Sequence, residues 1–139
     1  MDIARRSITL IRDLQGLLPR TTGSLAVRVF SDEPLEHALA ALNAGCAIGQ
    51  ADVILLLLGM RPRSGAGRIS VPDEAKRIAE QFPRKTIAVS FGSPYILGEL
   101  GEVSTFVCAW GIQPVLQVAA MEAIQGKFAM TGKLPVTLA

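Results

Sequence analysis

Val53-Ile54-Leu55-Leu56-Leu57-Leu58-Gly59 is the stretch on which the fold turns. A half-exposed strand alternates apolar and polar side chains, whereas this run has no polar break before its glycine. That pattern is expected of a short strand covered on both faces, the position of a central strand in a parallel sheet. It is the longest apolar run in the chain. It falls far short of the roughly 18–20 residues that a membrane-spanning helix needs.

Working outward, shorter apolar runs predict strands at Ile8–Ile11, Leu25–Phe30, Thr86–Phe91 and Thr105–Trp110, with a final short strand at Leu134–Leu138. Pro135 gives no ladder hydrogen bond, which puts that last strand at a sheet edge. Helical patterns fill the gaps. Ser31-Asp32-Glu33-Pro34 offers a cap, followed by apolar spacing at Leu35, Leu39 and Leu42 and a stop at Gly45. Ser70 or Asp73 can cap a second helix, with Ile78 and Phe82 inward and Pro83 helping to end it. Ser93-Pro94 starts a third. Pro114 starts a fourth, packed through Leu116, Ala119, Ala120, Ala123 and Ile124 and stopped by Gly126. Strands alternating with helices predict one α/β domain over residues 1–139. Its form is a three-layer sandwich, flavodoxin-like in outline, with a mostly parallel sheet of five or six strands and helices on both faces.

Composition narrows the function classes. The 139 residues suffice for one domain with a proper core, and half of them are apolar. A net charge of +2 gives no electrostatic case for nucleic acid or an acidic membrane surface. Single Trp and Tyr residues provide no stacking platform for bases. The charged N-terminal stretch Met1-Asp2-Ile3-Ala4-Arg5-Arg6 is not followed by an apolar segment, so it does not read as a signal peptide. Cys46 and Cys108 sit in apolar surroundings and read as small buried thiols. With one histidine and two scattered cysteines, no metal-ligand set can be assembled.

In an open parallel sheet, ligands collect beyond the C-terminal ends of the strands. The longest loop there runs from Gly59 to Val71 and carries Arg61, Arg63 and Arg68 among its glycines. Guanidinium groups suit carboxylates, phosphates or sugar hydroxyls. The same loop reads equally as a flexible solvated connection. It has neither the G-x-G-x-x-G nor the G-x-x-x-x-G-K-[ST] spacing of a nucleotide site. Thr131-Gly132-Lys133 leads into a strand rather than a helix, so a phosphate-binding turn fails there too. A helix start at Ser93 offers anion-binding N–H groups or ordinary capping. Trp110, at a strand end, could stack on a sugar or a neighbouring domain, or fill the core. His37 reads as a solvated helix residue, which leaves Ser93 and Cys108 without an activating base. Asp32, Asp52, Glu99 and Glu102 form no evident pair for acid/base work.

Four segments in order resemble the C-terminal domain of family 3 glycoside hydrolases. Ser7-Ile8-Thr9-Leu10-Ile11-Arg12-Asp13, then Gly16-Leu17-Leu18-Pro19, resembles its opening. Ala51-Asp52-Val53-Ile54 is similar to the start of its central strand, and Ser90-Phe91-Gly92-Ser93-Pro94-Tyr95 to a turn of its β-N-acetylhexosaminidase branch. Gly126-Lys127-Phe128-Ala129-Met130-Thr131-Gly132-Lys133-Leu134-Pro135-Val136-Thr137 resembles its closing motif. The resemblance implies a catalytic barrel in the same polypeptide, with carbohydrate at the domain interface and no metal or nucleotide cofactor. It implies that Arg61, Arg63, Arg68, Ser93 and Trp110 lie at the substrate rim or against the barrel. It assigns no catalytic residue to this chain. The Gly59–Val71 loop holds no Asp or Glu, which departs from the β-glucosidases, whose second domain gives an acid/base glutamate, and suits the hexosaminidase branch. A stand-alone module for small-anion binding or for dimerisation is the other expectation.

Overall fold

The computed structural model describes residues 7–13, 25–31, 35–40, 52–59, 73–92, 100 and 103–127. Within them lie strands β1 (Thr9–Asp13), β2 (Leu25–Ser31), β3 (Val53–Gly59), β4 (Thr86–Ser90) and β5 (Thr105–Cys108). The helices are α1 (Glu36–Ala40), α2 (Asp73–Gln81) and α3 (Pro114–Ile124). The strands form one sheet in the order β1-β5-β4-β3-β2. β2, β3, β4 and β5 are parallel neighbours, and β1 runs antiparallel to β5 at the edge.

β3 occupies the interior of this sheet and is buried along its whole length. Its side chains divide by parity, as a strand requires. Val53, Leu55 and Leu57 join one cluster with Leu35 and Ala38 beside α1, and with Ala119, Ala120, Met121, Ala123 and Ile124 of α3. Ile54, Leu56 and Leu58 join the opposite cluster with Ala75, Ile78 and Ala79 of α2. Helices therefore cover both faces, giving the expected three-layer α/β sandwich. Burying an aliphatic side chain contributes about 1.5–3 kcal/mol, against about 1 kcal/mol net for a ladder hydrogen bond. Apolar burial is thus what selects this segment for the centre.

The helix ends follow their local chemistry. Pro114 occupies the first turn of α3, where its missing N–H costs nothing. Gly126 adopts a positive φ of 81° just past the helix. The N–H of Gly126 donates to Ala123 O at 3.1 Å, and that of Lys127 to Glu122 O at 3.0 Å. This paired motif satisfies the last carbonyls and is why the helix stops there. Gln117 is the buried polar residue of α3. Its Oε1 accepts from the Ala38 N–H at 3.0 Å and its Nε2 donates to Ile112 O at 2.7 Å, so one amide ties α1 to the turn before α3.

Differences from the sequence reading are small. β1 begins and ends slightly later than expected, and β4 and β5 stop at Ser90 and Cys108. Ser31 is not a helix cap. It closes β2, and its hydroxyl donates to Gly59 O at 3.3 Å. The expected strand at Leu134–Leu138, the helix starting at Ser93-Pro94 and the later part of the first helix lie outside the described residues.

The fold makes Leu56 a severe test. Its side chain is fully buried, and an unpaired carboxylate there finds no compensating partner in the apolar cluster around α2. Leu56→Asp is expected to destabilise the domain by more than about 4 kcal/mol and to abolish the cooperative melt followed by circular dichroism. An unchanged melting temperature would place Leu56 outside the core.

Candidate functional site

The parallel strands β2 to β5 all point their C-terminal ends at one rim, and antiparallel β1 brings Ser7 and Thr9 to the same rim. This is where an open α/β sheet presents a ligand site. Side chains and backbone close it strand by strand. Ser31 bridges β2 to β3 through Gly59 O. A Cβ added at Gly59 would collide with the Ser31 hydroxyl, so glycine is what lets the two strand ends approach. The ladder continues past β3 and β4. The Phe91 N–H donates to Leu58 O at 2.8 Å and the Ala109 N–H to Ser90 O at 2.8 Å. At β4, the Gly92 N–H donates to Ser90 Oγ at 3.3 Å.

Trp110 is the unusual member of the rim. It has a φ of 68°, the one non-glycine residue with positive φ among those described. A bulky side chain there costs about 1–2 kcal/mol relative to ordinary backbone, so the surroundings must hold it. Its indole N–H donates to Thr9 Oγ1 at 3.1 Å, and the Thr9 hydroxyl donates on to Ser7 O at 3.0 Å. The ring is neither fully buried nor free, which places an aromatic surface at the edge of the rim, beside β1. Strain of this kind gathers at ligand-facing positions, where the neighbouring structure fixes it.

Among the described residues, no nucleophile and base come together at the rim. Cys108 is buried, and its thiol donates to Gly92 O at 3.4 Å. Loss of solvation pushes its pKa up to about 12, the hydrogen bond from the Trp110 backbone opposing only part of that rise. A thiol so protected is a poor nucleophile. His37 is exposed on α1, 3.9 Å from Glu36. Asp13 and Asp52 lie at the other end of the sheet, where Asp13 accepts from the Thr105 hydroxyl at 2.7 Å. Among the described residues no three His, Cys, Asp or Glu side chains group together as a metal site.

Of the residues singled out in the sequence, Trp110 stands on the rim. Arg61, Arg63, Arg68, Ser93, Asp32, Glu99, Glu102 and Cys46 lie outside the described residues. Sequence reasoning missed Thr9 as the partner of Trp110 and Ser31 as the bridge to Gly59. Both depend on neighbouring strands, and no local pattern announces them.

Together these features define an α/β sandwich with a polar rim edged by one aromatic side chain. No protein-family model and no curated protein matches the chain. Solved structures do share its fold. A β-glucoside phosphorylase, BglX, bound to 2FGlc superposes with a TM-score of 0.80 at 22% identity, over 98% of this chain and 30% of that one. A glycoside hydrolase family 3 β-N-acetylglucosaminidase from Paenibacillus sp. str. FPU-7 gives 0.70 at 19%, over 99% of this chain and 31% of that one. A fungal multi-domain family 3 β-N-acetylglucosaminidase gives 0.71 at 14%, over 99% of this chain and 18% of that one. The chain thus spans under a third of the length of the enzymes it superposes on. The likeness is one of fold, and two of these three enzymes are named as members of the family that the sequence resembles.

Two outcomes check this geometry. Trp110→Gly should be more stable than Trp110→Ala by about 1 kcal/mol in denaturant unfolding, because glycine relieves the left-handed backbone. The reverse order would remove the strain argument. For Cys108, the raised pKa means that the folded thiol stays protonated where the unfolded one ionises. Stability from this group is therefore full below pH 9.0 and is lost as pH rises towards about 12. Peptide mapping after iodoacetamide at pH 8 should find Cys108 unmodified in the native chain and alkylated once denaturant is added.

Proposed function

We propose that this chain is the accessory C-terminal domain of a retaining β-glycosidase of family 3, in its β-N-acetylhexosaminidase branch. In that role it packs beside the catalytic barrel of the same polypeptide and shapes the rim of its active site. The observation that carries the reading is the coverage of the fold likeness: nearly all of this chain, and under a third of each enzyme. The four sequence segments that resemble the family support it, and the acid-free Gly59–Val71 loop supports the hexosaminidase branch.

The chemistry is consistent with an accessory role. Retaining glycosidases need a carboxylate nucleophile and an acid about 5–5.5 Å apart. Of the described acids, Asp13 and Asp52 lie at the end of the sheet away from the rim. Trp110 would offer a sugar or the barrel an apolar face, and Arg61, Arg63 and Arg68 would offer charge and hydrogen bonds to substrate or barrel. No cofactor is needed, since side chains and an acceptor carry the reaction. Because BglX is a phosphorylase, that acceptor is tested as either water or phosphate.

The purified 139-residue chain should not cleave aryl β-N-acetylglucosaminides or aryl β-glucosides above background, with or without inorganic phosphate. A product that joins it to the upstream barrel should. Turnover by the chain alone that survives repurification, and that disappears in Glu99→Gln or Glu102→Gln, would overturn the accessory-domain reading.

A further inference from the structure

The two faces of the sandwich are finished differently. On one face α2 is amphipathic, with Ala75, Ile78 and Ala79 inward and Asp73, Glu74, Arg77, Glu80 and Gln81 exposed. That is the composition of a solvated outer layer. On the other face α3 buries Ala119, Ala120, Met121, Ala123 and Ile124, and two of its outward positions, Val115 and Val118, are apolar as well. Val115 is 52% exposed and Val118 is partly exposed one turn on, with Glu122 as the helix's one charged residue. Apolar residues on the outward side of a helix, beyond the stripe that faces its own core, are more than a solvated surface helix requires.

The edges of the sheet repeat the asymmetry. Leu10 of β1 pairs with Val107, which belongs to the α3-side cluster. Val29 of β2 shares parity with Val27, which also packs against that cluster. Leu10, Val29 and Val115 are the exposed large hydrophobics among the described residues, and all lie on the α3 side. On that side Glu36 and His37 of α1 are exposed and polar, so among the described residues the exposed large hydrophobics belong to α3 and the strand edges.

We infer that the outer face of α3, centred on Val115 and Val118, is the surface by which this domain seats on the rest of its own polypeptide. This rests on the accessory-domain reading above. The occupant follows from the coverage of the fold: in the solved chains that share it, about two thirds or more of the polypeptide lies beyond this domain. The charged α2 face is then the one left to solvent. Pro114 and Val115 begin α3 only a few residues after Trp110, so docking through α3 would hold the rim against the same neighbour.

Hydroxyl-radical footprinting of the 139-residue chain and of the full-length gene product tests this. Labelling of the peptide bearing Val115 and Val118 should fall several-fold in the longer product, while the peptide spanning α2 labels equally in both. Val115→Asp should leave the melting temperature of the chain alone unchanged and lower that of the longer product. Equal labelling of α3 in both proteins, or protection of α2 instead, would overturn the inference and leave the accessory reading standing. A gene that encodes no further chain would remove both. Protection of α3 in the isolated chain that grows with its concentration would assign the face to a second copy and equally overturn the inference.

Discussion

The structure depends on a strand that is apolar on both faces. Val53, Leu55 and Leu57 hold α1 and α3, while Ile54, Leu56 and Leu58 hold α2. The α1/α3 layer and the α2 layer lie on opposite faces of the sheet, and β3 packs against both. The same strand sets register for the parallel ladder on either side, from Leu25↔Val53 across to Ile54↔Thr86. A one-residue slip would exchange the faces of all these side chains. Here a slip would still bury β3, since both of its faces are apolar. β2 supplies the contrast that β3 lacks, with Ala26 buried and Arg28 exposed.

A rigid centre of this kind explains how function can sit at the strand ends. Gly59 closes β3 at the rim, where Ser31 bonds it laterally, and the extended ladder carries the order to Phe91 and Ala109. Trp110 can then be held in a left-handed backbone because Thr9 of the edge strand anchors its indole. The asymmetry between α2 and α3 adds a second consequence. One layer serves solubility, and the other continues the apolar interior outward.

Much of this was legible in the sequence, for identifiable reasons. Nearly continuous apolar runs located β3, β4 and β5, and the Pro114 and Gly126 signals bounded α3, because these depend on local sequence alone. The antiparallel direction of β1 was not legible, since a strand's side-chain pattern is the same in either direction. The positive φ of Trp110 was hidden because glycine, not tryptophan, advertises that conformation, and Gly111 stands next to it. Ser31 looked like a cap because hydroxyl residues before a proline usually are; one further residue of pairing with β3 turned it into a bridge. Gln117 carried a faint signal, a lone amide in an otherwise apolar stripe. Its partners Ala38 and Ile112 could be known only from the packed helices. The arginines of the Gly59–Val71 loop lie outside the described residues, so their part in the site rests on the sequence resemblance.

The central claim is that β3 ties both helical layers and the rim into one cooperative unit. Native-state amide hydrogen exchange in increasing denaturant measures this residue by residue. The account predicts that the amides of Ile54 to Leu58 and of Ile87 to Val89 exchange only through global unfolding, with the full denaturant dependence of the chain. Those of α2 and α3 should open no later than the sheet. Exchange of the β3 amides by local fluctuations, while α2 or α3 stays protected, would contradict it.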